Sequence, residues 1–202
     1  MRAPEWAPFD IPGGNAAVQM ALLDHDSVTR ARTVLVRFPA GWTRGEAGSY
    51  VAAEDLVLLE GTLRMNGALW QAGDWAFVPA RGLRAQMLTD DGALAYARFL
   101  GPAKWLRDEG EGAPFQHRSF DDIVSGAPSA SSPSSFGSRA WRLRADELGE
   151  SWLVERVAAG ARAERRTEVF ELESRRYAVV EAGGELPTID GRAFCRVAGG
   201  ER

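Results

Sequence analysis

The side chains that could support catalysis or bind a metal are few and scattered in this sequence. Two histidines, His25 and His117, and one cysteine, Cys195, occur in 202 residues. A transition metal held by protein ligands needs several imidazole, thiolate or carboxylate groups that converge on one point. Each of these three residues could therefore have either a chemical role or a structural one.

The surroundings of the three residues favour structural roles. His25 lies between two aspartates, but consecutive side chains rarely converge on one ion, and we expect a solvated loop. His117 precedes Asp121 and Asp122 and could act as a general base paired with a carboxylate. The alternative is a surface histidine in an irregular segment. Cys195 lies in a strand-like run, where we expect a packed thiol rather than a nucleophile.

Short β-rich runs separated by turn residues dominate residues 32–100. We predict strands over residues 33–38, 56–60, 62–65, 69–71, 75–78, 85–88 and 94–100. Asn66 and Gly67 predict a two-residue hairpin turn, because both central positions of a type I′ turn need positive φ. Many short strands at this spacing predict an all-β sandwich or barrel and exclude a parallel α/β fold.

The rest of the chain divides at a segment rich in Ser, Pro, Gly and Ala. Residues 126–138 read GAPSASSPSSFGS, a composition typical of a solvated linker. We therefore predict a first domain over residues 1–125 and a second over residues 139–202. Further strands are predicted over residues 151–157, 168–173, 177–181 and 192–197.

Two segments rich in turn residues flank the predicted hairpin. Residues 41–61 begin and end with glycine and contain Glu54, and residues 73–79 read GDWAFVP and continue to Arg84. Together they resemble the two sequence motifs of the cupin superfamily of RmlC-like proteins, over residues 30–102. The finer similarity is to bicupins of the ChrR and acetylacetone-dioxygenase-like types. The resemblance implies an all-β double-stranded β-helix, or jelly-roll, barrel, mainly within residues 15–102.

The second domain resembles an incomplete copy of the first. Residues 157–160 are similar to residues 38–41, and residues 177–183 are similar to residues 56–61. The resemblance thus implies an incomplete second cupin-like half. Its strands would leave an unpaired edge, which invites further pairing. We expect that edge to dock on the first barrel or on a second copy in a homodimer.

Metal-binding cupins use two histidines, a glutamate and a later histidine as ligands. The corresponding positions here are, in two alternative registers, Ala47 and Ser49 or Gly48 and Tyr50, followed by Glu54 and Arg84. Only Glu54 is a metal ligand, and the permanent charge of Arg84 would repel a cation. We therefore expect no metal and no other cofactor. Arg84 is expected to replace the missing cation and to lie near the Glu54 carboxylate.

The resemblance leads to three functional hypotheses. The first is a metal-free pseudo-cupin that binds a small organic molecule or has a regulatory role. The alternative is an enzyme, a dioxygenase, isomerase or epimerase, with Glu54 as candidate base, and the third is a structural or interaction module. The expected ligand-binding residues of the barrel interior are Ala47, Ser49, Tyr50, Glu54, Trp75 and Arg84. An apolar wall could come from Trp42, Trp70, Trp75, Phe77 and Tyr96. A polar-lined cavity would favour the first hypothesis over the third.

Composition narrows the choice of partners. Twenty-four basic and 28 acidic residues give a net charge of −4, which argues against a protein that binds nucleic acid by neutralising phosphates. No run approaches the roughly 20 apolar residues of a membrane helix. Residues 1–12 lack a basic segment followed by an apolar one, so we expect no secretory signal. These features and the single cysteine predict a cytoplasmic location.

Overall fold

The chain folds into two units, which divide between Phe120 and Asp121 in this computed structural model. The structure describes residues 4–111, 114–130, 133–136 and 139–199. Four residues of the predicted linker, 131, 132, 137 and 138, lie outside this range. The remainder of the linker includes a short 3-10 turn, Ser134–Phe136, whose Phe136 is buried in the core of the second unit. The predicted domain limits at residues 125 and 138 stay predictions.

Twelve strands are described before the helix that follows them in the chain. They are β1 (Trp6–Phe9), β2 (Val18–His25), β3 (Arg32–Phe38), β4 (Trp42–Arg44), β5 (Gly48–Tyr50), β6 (Glu54–Met65), β7 (Ala68–Gln71), β8 (Asp74–Val78), β9 (Met87–Thr89), β10 (Ala93–Phe99), β11 (Trp105–Arg107) and β12 (Gln116–Ser119). The helix α1 spans Phe120–Ser125. The remaining strands are β13 (Ala140–Asp146), β14 (Gly149–Val154), β15 (Thr167–Glu171), β16 (Tyr177–Val180) and β17 (Ala193–Ala198).

Strand β6 joins two sheets of the first unit, which also has a separate two-stranded sheet of β5 and β11. One sheet has the order β1-β2-β3-β10-β6-β8-β12, and the second half of β6 also pairs with β7 and β9, the latter paired with β4. Gly61 lies between the two halves with φ 71°. A Cβ at this position would lie 2.0 Å from the carbonyl oxygen of Gly92. Only glycine therefore allows β6 to pass from one sheet to the other here.

The all-β prediction is confirmed, and several strand boundaries are corrected, among them residues 85–88, where the strand is Met87–Thr89, and residues 151–157, where it is Gly149–Val154. The predicted strands 56–60 and 62–65 are one continuous strand, because Gly61 bends β6 without ending its pairing. Strands β1, β2, β4, β5, β11, β12 and β13 were not predicted. The Asn66–Gly67 turn is confirmed, with φ values of 53° and 79°.

Period-two alternation directs one face of the barrel strands inward. On β3, Val34 and Val36 lie in the apolar core of the barrel, whereas Leu35 is buried on the opposite face. The same alternation separates Leu56 from Asp55 on β6 and Ala76 from Trp75 on β8. The barrel interior is therefore defined by every second residue of each strand.

The second unit has an antiparallel sheet of its own. Its strand order is β13-β14-β17-β15-β16, with isolated bridges between Val157 and Ile189 and between Arg162 and Glu185. Cys195 of β17 is fully buried in its apolar core, which confirms the prediction of a packed thiol. Burial raises the pKa of this thiol far above its ordinary value. The assignment of this unit as an incomplete second cupin-like half stays a prediction.

Helices are minor elements of the described residues. The helix α1 is six residues long and the 3-10 turn three. Within residues 4–111, 114–130, 133–136 and 139–199, no helix has the length and apolar character that a bilayer crossing requires.

Candidate functional site

The interior of the barrel contains a cavity of about 70 Å³. Most of its lining is apolar and comes from alternate residues of the barrel strands. These residues include Val34, Val36, Phe38, Trp42, Leu56, Leu63, Met65, Met87, Ala95, Ala97 and Phe99. The polar lining consists of five side chains, those of Arg32, Arg44, Tyr50, Glu54 and Arg84. An apolar enclosure with a few grouped polar side chains is typical of a small-molecule site.

Glu54 and Arg84 form a buried ion pair in this lining. Nη2 of Arg84 donates to Oε2 of Glu54 at 2.5 Å, and the two side chains are 3% and 8% exposed. The expected contact between these residues is thereby confirmed. Burial raises the pKa of Glu54 above its ordinary value, although the charges of Arg84 and Arg44 oppose this effect.

The backbone around Arg84 is held on both sides. Its amide donates to the carbonyl of Gly48 at 2.7 Å, and the Gly48 amide donates back at 3.0 Å. Asn66 in the hairpin turn donates through Nδ2 to the carbonyl of Leu83 at 2.7 Å and accepts from the amide of Ala85 at 2.6 Å. The turn residue thus fixes the two residues that flank Arg84.

Arg44 is a second buried cation of the cavity. Its side chain extends from β4, and its Nη2 donates to the sulfur of Met87. The guanidinium carbon lies 4.1 Å from the ring centroid of Trp105. Burial lowers the pKa of Arg44, an effect opposed by the nearby Tyr50 and Glu54. The Trp105 ring supplies a cation–π contact in place of a carboxylate partner.

Two donors of these guanidinium groups have no partner within the structure. They are Nε of Arg44 and Nη1 of Arg84, both shielded from solvent. A buried charged donor without an acceptor carries a desolvation cost of a few kcal/mol. Both arginines, and the one carboxylate of Glu54, belong to the cavity lining.

Three of the six predicted ligand-binding residues line the cavity. Tyr50, Glu54 and Arg84 do so, which agrees with the register that places Gly48 and Tyr50 at the histidine positions. Ala47 and Ser49 do not line it. Trp75 lies on the opposite face of its strand, where Nε1 donates to Oδ1 of Asp55 at 3.1 Å. Whether any of the six binds a ligand stays a prediction.

Four of the five aromatic residues that could have formed an apolar wall are ordinary buried core residues instead. Trp42 lines the cavity, whereas Trp70, Trp75, Phe77 and Tyr96 do not. Trp75, Phe77 and Tyr96 point away from the cavity because side chains alternate along a strand. Their neighbours Ala76, Ala95 and Ala97 occupy the inward face. Arg44 was not predicted, and its only sequence signal is the alternation of Trp42 and Arg44 across Thr43.

The residues at the expected metal position do not fit a divalent cation. A Cβ on Gly48 would lie 2.4 Å from both the Leu106 carbonyl oxygen and the Trp105 ring, so no histidine can replace this glycine without a shift of the backbone. Arg84 is bonded to the one carboxylate, Arg44 lines the same cavity, and both guanidinium groups would repel a cation. Among the described residues, no group of three His, Cys, Asp or Glu side chains is placed to hold a metal ion.

His117 lies in a separate surface cleft of about 340 Å³. It belongs to β12 rather than to an irregular segment, and its Nε2 lies 3.0 Å from Oδ2 of Asp74. Its ring stacks on Trp70 at a centroid distance of 5.2 Å. His117 is exposed, as the surface alternative expects. Its carboxylate partner is Asp74 because β12 pairs with β8 and brings Asp74 beside the histidine.

His25 ends β2 and is exposed, so the expected loop is corrected to a strand end while its exposure is confirmed. It lines a shallow depression of about 200 Å³ together with Arg30, Arg32, Lys104, Pro102 and Ala103. Arg32 lines both this depression and the barrel cavity. The depression is therefore a cationic surface next to the cavity.

Solved structures of other proteins share this architecture, whereas no protein-family model and no curated protein matches the sequence. The chain is similar to a candidate dioxygenase from Nostoc punctiforme, with a TM-score of 0.67 and 17% identity over 90% of this chain and 73% of that one. A candidate glyoxylate-induced protein from Pseudomonas aeruginosa has a TM-score of 0.53 and 14% identity, over 95% and 79% of the two chains.

Protein Ylba from E. coli gives a TM-score of 0.50 and 12% identity, over 96% of this chain and 82% of that one. At such identities the likeness concerns the fold and not the chemistry of the site. Together with the curled antiparallel sheets that share β6, these likenesses show that the chain has an all-β fold of the cupin jelly-roll type.

Proposed function

We propose that the first unit is a cupin barrel that binds a small organic molecule in its interior without a metal ion. The observation that carries this proposal is the cavity itself, in which the polar side chains Arg44, Tyr50, Glu54 and Arg84 are grouped among apolar ones. A barrel that served only as an interaction module would have no need for buried cations with unused donors, because such donors destabilise the fold.

The enzyme hypothesis has less support. The Nostoc punctiforme protein is described as a candidate dioxygenase, but an analogous metal-dependent reaction in this chain would need ligands that Gly48, Tyr50 and Arg84 do not supply. Glu54 is the remaining candidate base, and its carboxylate is already bonded to Arg84 at 2.5 Å. Binding, with or without a regulatory consequence, is the function that these residues favour.

The experiment is a thermal denaturation screen with neutral, anionic and cationic small organic molecules. A ligand that binds only the folded protein stabilises it by RT ln(1 + [L]/Kd) and therefore raises Tm. We expect at least one chemical class to raise Tm of the unmodified protein. Ala97→Leu, which adds side-chain volume inside the cavity, should abolish that shift.

The matched control is Ala7→Leu, which adds the same atoms at an exposed position of β1. This variant should keep the full ligand-induced shift. The far-ultraviolet circular dichroism of both variants should remain that of a β protein, so that loss of binding is separated from loss of folding. Equal shifts in the unmodified protein and in Ala97→Leu would contradict binding inside the barrel.

A further inference from the structure

The charges of the cavity distinguish between classes of ligand. Arg44 and Arg84 are both buried, and Glu54 is the single carboxylate in the lining. These two buried guanidinium groups and one carboxylate leave an excess of one positive charge when Glu54 is ionised, and Arg32, which also lines the cavity, adds to this excess. In a medium of low dielectric constant this excess is unfavourable unless an anion neutralises it. A cationic ligand would add to the repulsion.

The unused donors indicate the geometry of that anion. Nε of Arg44 and Nη1 of Arg84 are buried without acceptors, although the other nitrogens Nη2 of the same groups contact Met87 and Glu54. A carboxylate has two oxygens that accept hydrogen bonds from donors of this kind. Charge-assisted hydrogen bonds between guanidinium and carboxylate are among the strongest that proteins form.

Size and polarity restrict the remainder of the ligand. A volume of about 70 Å³ corresponds to roughly five water-sized positions. The lining beyond the charged residues is apolar, with Leu56, Leu63 and Met65 from β6 among its members. A short hydrocarbon chain fits this lining, whereas a fully polar anion such as phosphate would leave oxygens without donors.

A cationic depression on the surface shares one lining residue with the cavity. The depression next to the cavity is lined by Arg30, Arg32, Lys104 and His25, and Arg32 belongs to both. A surface lined by charges of one sign raises the local concentration of the opposite ion. This observation is independent of the buried donors and points to the same charge class.

We infer that the barrel binds a short aliphatic monocarboxylate, whose carboxylate is held by Arg44 and Arg84 while its chain lies against the apolar lining. This inference rests on the proposed function, because it assigns the chemical class of the molecule that the cavity binds. Arg44 is the residue that most directly determines this class, since it has no carboxylate partner of its own at hydrogen-bonding distance, whereas Arg84 is paired with Glu54.

The test is isothermal titration calorimetry of the full-length protein with propionate and butyrate. The matched probes are propionamide, which is neutral, n-propylammonium, which is cationic, and inorganic phosphate. We expect propionate or butyrate to bind at least ten times more tightly than each of the three. Equal affinity for propionate and propionamide would overturn the assignment, and so would tighter binding of phosphate.

The matched variants are Arg44→Met and Arg64→Met. Arg64 lies between Leu63 and Met65 on the same strand, but its side chain is exposed. Arg44→Met should lower the affinity for propionate at least tenfold, and Arg64→Met should leave it unchanged. Undiminished affinity in Arg44→Met would overturn the role of this residue.

If Arg44→Met does not fold, the role of Arg44 can still be tested by NMR spectroscopy of the unmodified protein. The Nε–H resonance of Arg44, assigned by its absence from Arg44→Lys, should shift on addition of propionate and not of propionamide. If propionamide binds and Ala97→Leu abolishes that binding, the charge class is wrong and the proposed function stands. If none of the four organic probes binds, the ligand class is wrong, and the thermal denaturation screen with the wider set of molecules decides the proposed function.

Discussion

Glu54 and Arg84 stabilise the barrel only as a pair. Both side chains are buried, and each supplies the opposite charge to the other at 2.5 Å. Arg84→Ala leaves the Glu54 carboxyl in an apolar cavity without its partner, and we expect a loss of about 3 to 5 kcal/mol in the free energy of unfolding. Urea denaturation followed by tryptophan fluorescence measures this loss.

The control is a double variant, Glu54→Leu with Arg84→Met, which removes both charges. Its loss should be clearly smaller than that of Arg84→Ala, because no buried charge is left without a partner. Arg64→Ala, at an exposed position of the same strand as Glu54, should change stability by no more than about 0.5 kcal/mol. A double variant as unstable as Arg84→Ala would show that packing, not charge, dominates at this site.

The raised pKa of Glu54 predicts how stability depends on pH. Between its ordinary value of 4.5 and its higher value in the folded protein, the native state holds a proton that the unfolded state has released. The contribution of Glu54 to stability is therefore fully present below pH 4.5 and is lost as pH rises through the folded pKa. Its slope cannot exceed about 1.4 kcal/mol per pH unit.

Glu54→Gln isolates this contribution, since it keeps the size of the side chain and cannot titrate. The difference in unfolding free energy between the unmodified protein and Glu54→Gln should fall as pH rises from about 5 to 8. Urea titrations at several pH values give this difference. A difference that grows with pH would mean that Arg84 and Arg44 outweigh burial and lower the pKa of Glu54 instead.

At the level of elements, the hairpin turn between β6 and β7 positions Arg84. Asn66 makes two side-chain hydrogen bonds to the residues on either side of Arg84. Asn66→Gly retains the positive φ of the turn but removes both bonds. We expect it to lose about 1 to 3 kcal/mol of stability, from two net hydrogen bonds, and to weaken propionate binding.

Asn66→Asp provides a graded comparison. It keeps the oxygen that accepts from Ala85 and loses the donor to Leu83, so its stability loss should be intermediate. Urea denaturation and calorimetry with propionate are the two measurements. If Asn66→Gly bound propionate as tightly as the unmodified protein, the turn would have no part in positioning Arg84.

The elements that the sequence predicted correctly are those with local signals. The Asn66–Gly67 turn follows from the φ values that its residues tolerate, and β10 follows from a continuous β-rich run. Strands β4 and β5 were not predicted because each has only three residues and forms through distant partners, β9 and β11. The inward position of Arg44 depends on the pairing of β4 with β9, which no local pattern records.

Only part of the candidate site could be predicted from the sequence. The resemblance to the cupin motifs placed Glu54 and Arg84 together, because these two motifs lie at fixed positions in the barrel. The resemblance left two alignments of β5 open, with either Ala47 and Ser49 or Gly48 and Tyr50 at the histidine positions. The pairing of Gly48 with Arg84 decides between them. Trp75 was assigned to the wrong face of β8, since β8 is buried on both faces and its pattern has no polar alternation.

The whole molecule combines a cupin-type fold with an interior that favours anions over cations. The fold alone would suggest a bound transition metal, whereas the charges of Arg44 and Arg84 oppose one. We expect purified protein to contain less than about a tenth of an equivalent of Fe, Mn, Ni or Zn, since one carboxylate cannot supply the several ligands that such ions require. Elemental analysis by mass spectrometry measures this content.

Metal removal and ligand addition should have different effects on Tm in the same thermal denaturation experiment. A chelator should leave Tm unchanged, because no ion contributes to the folded state, whereas propionate should raise Tm by preferential binding to that state. Glu54→Gln should leave the metal content as low as in the unmodified protein. Near-stoichiometric metal that is lost in Glu54→Gln, together with a lower Tm in chelator, would show that the barrel holds an ion through Glu54 and that its two arginines do not exclude it.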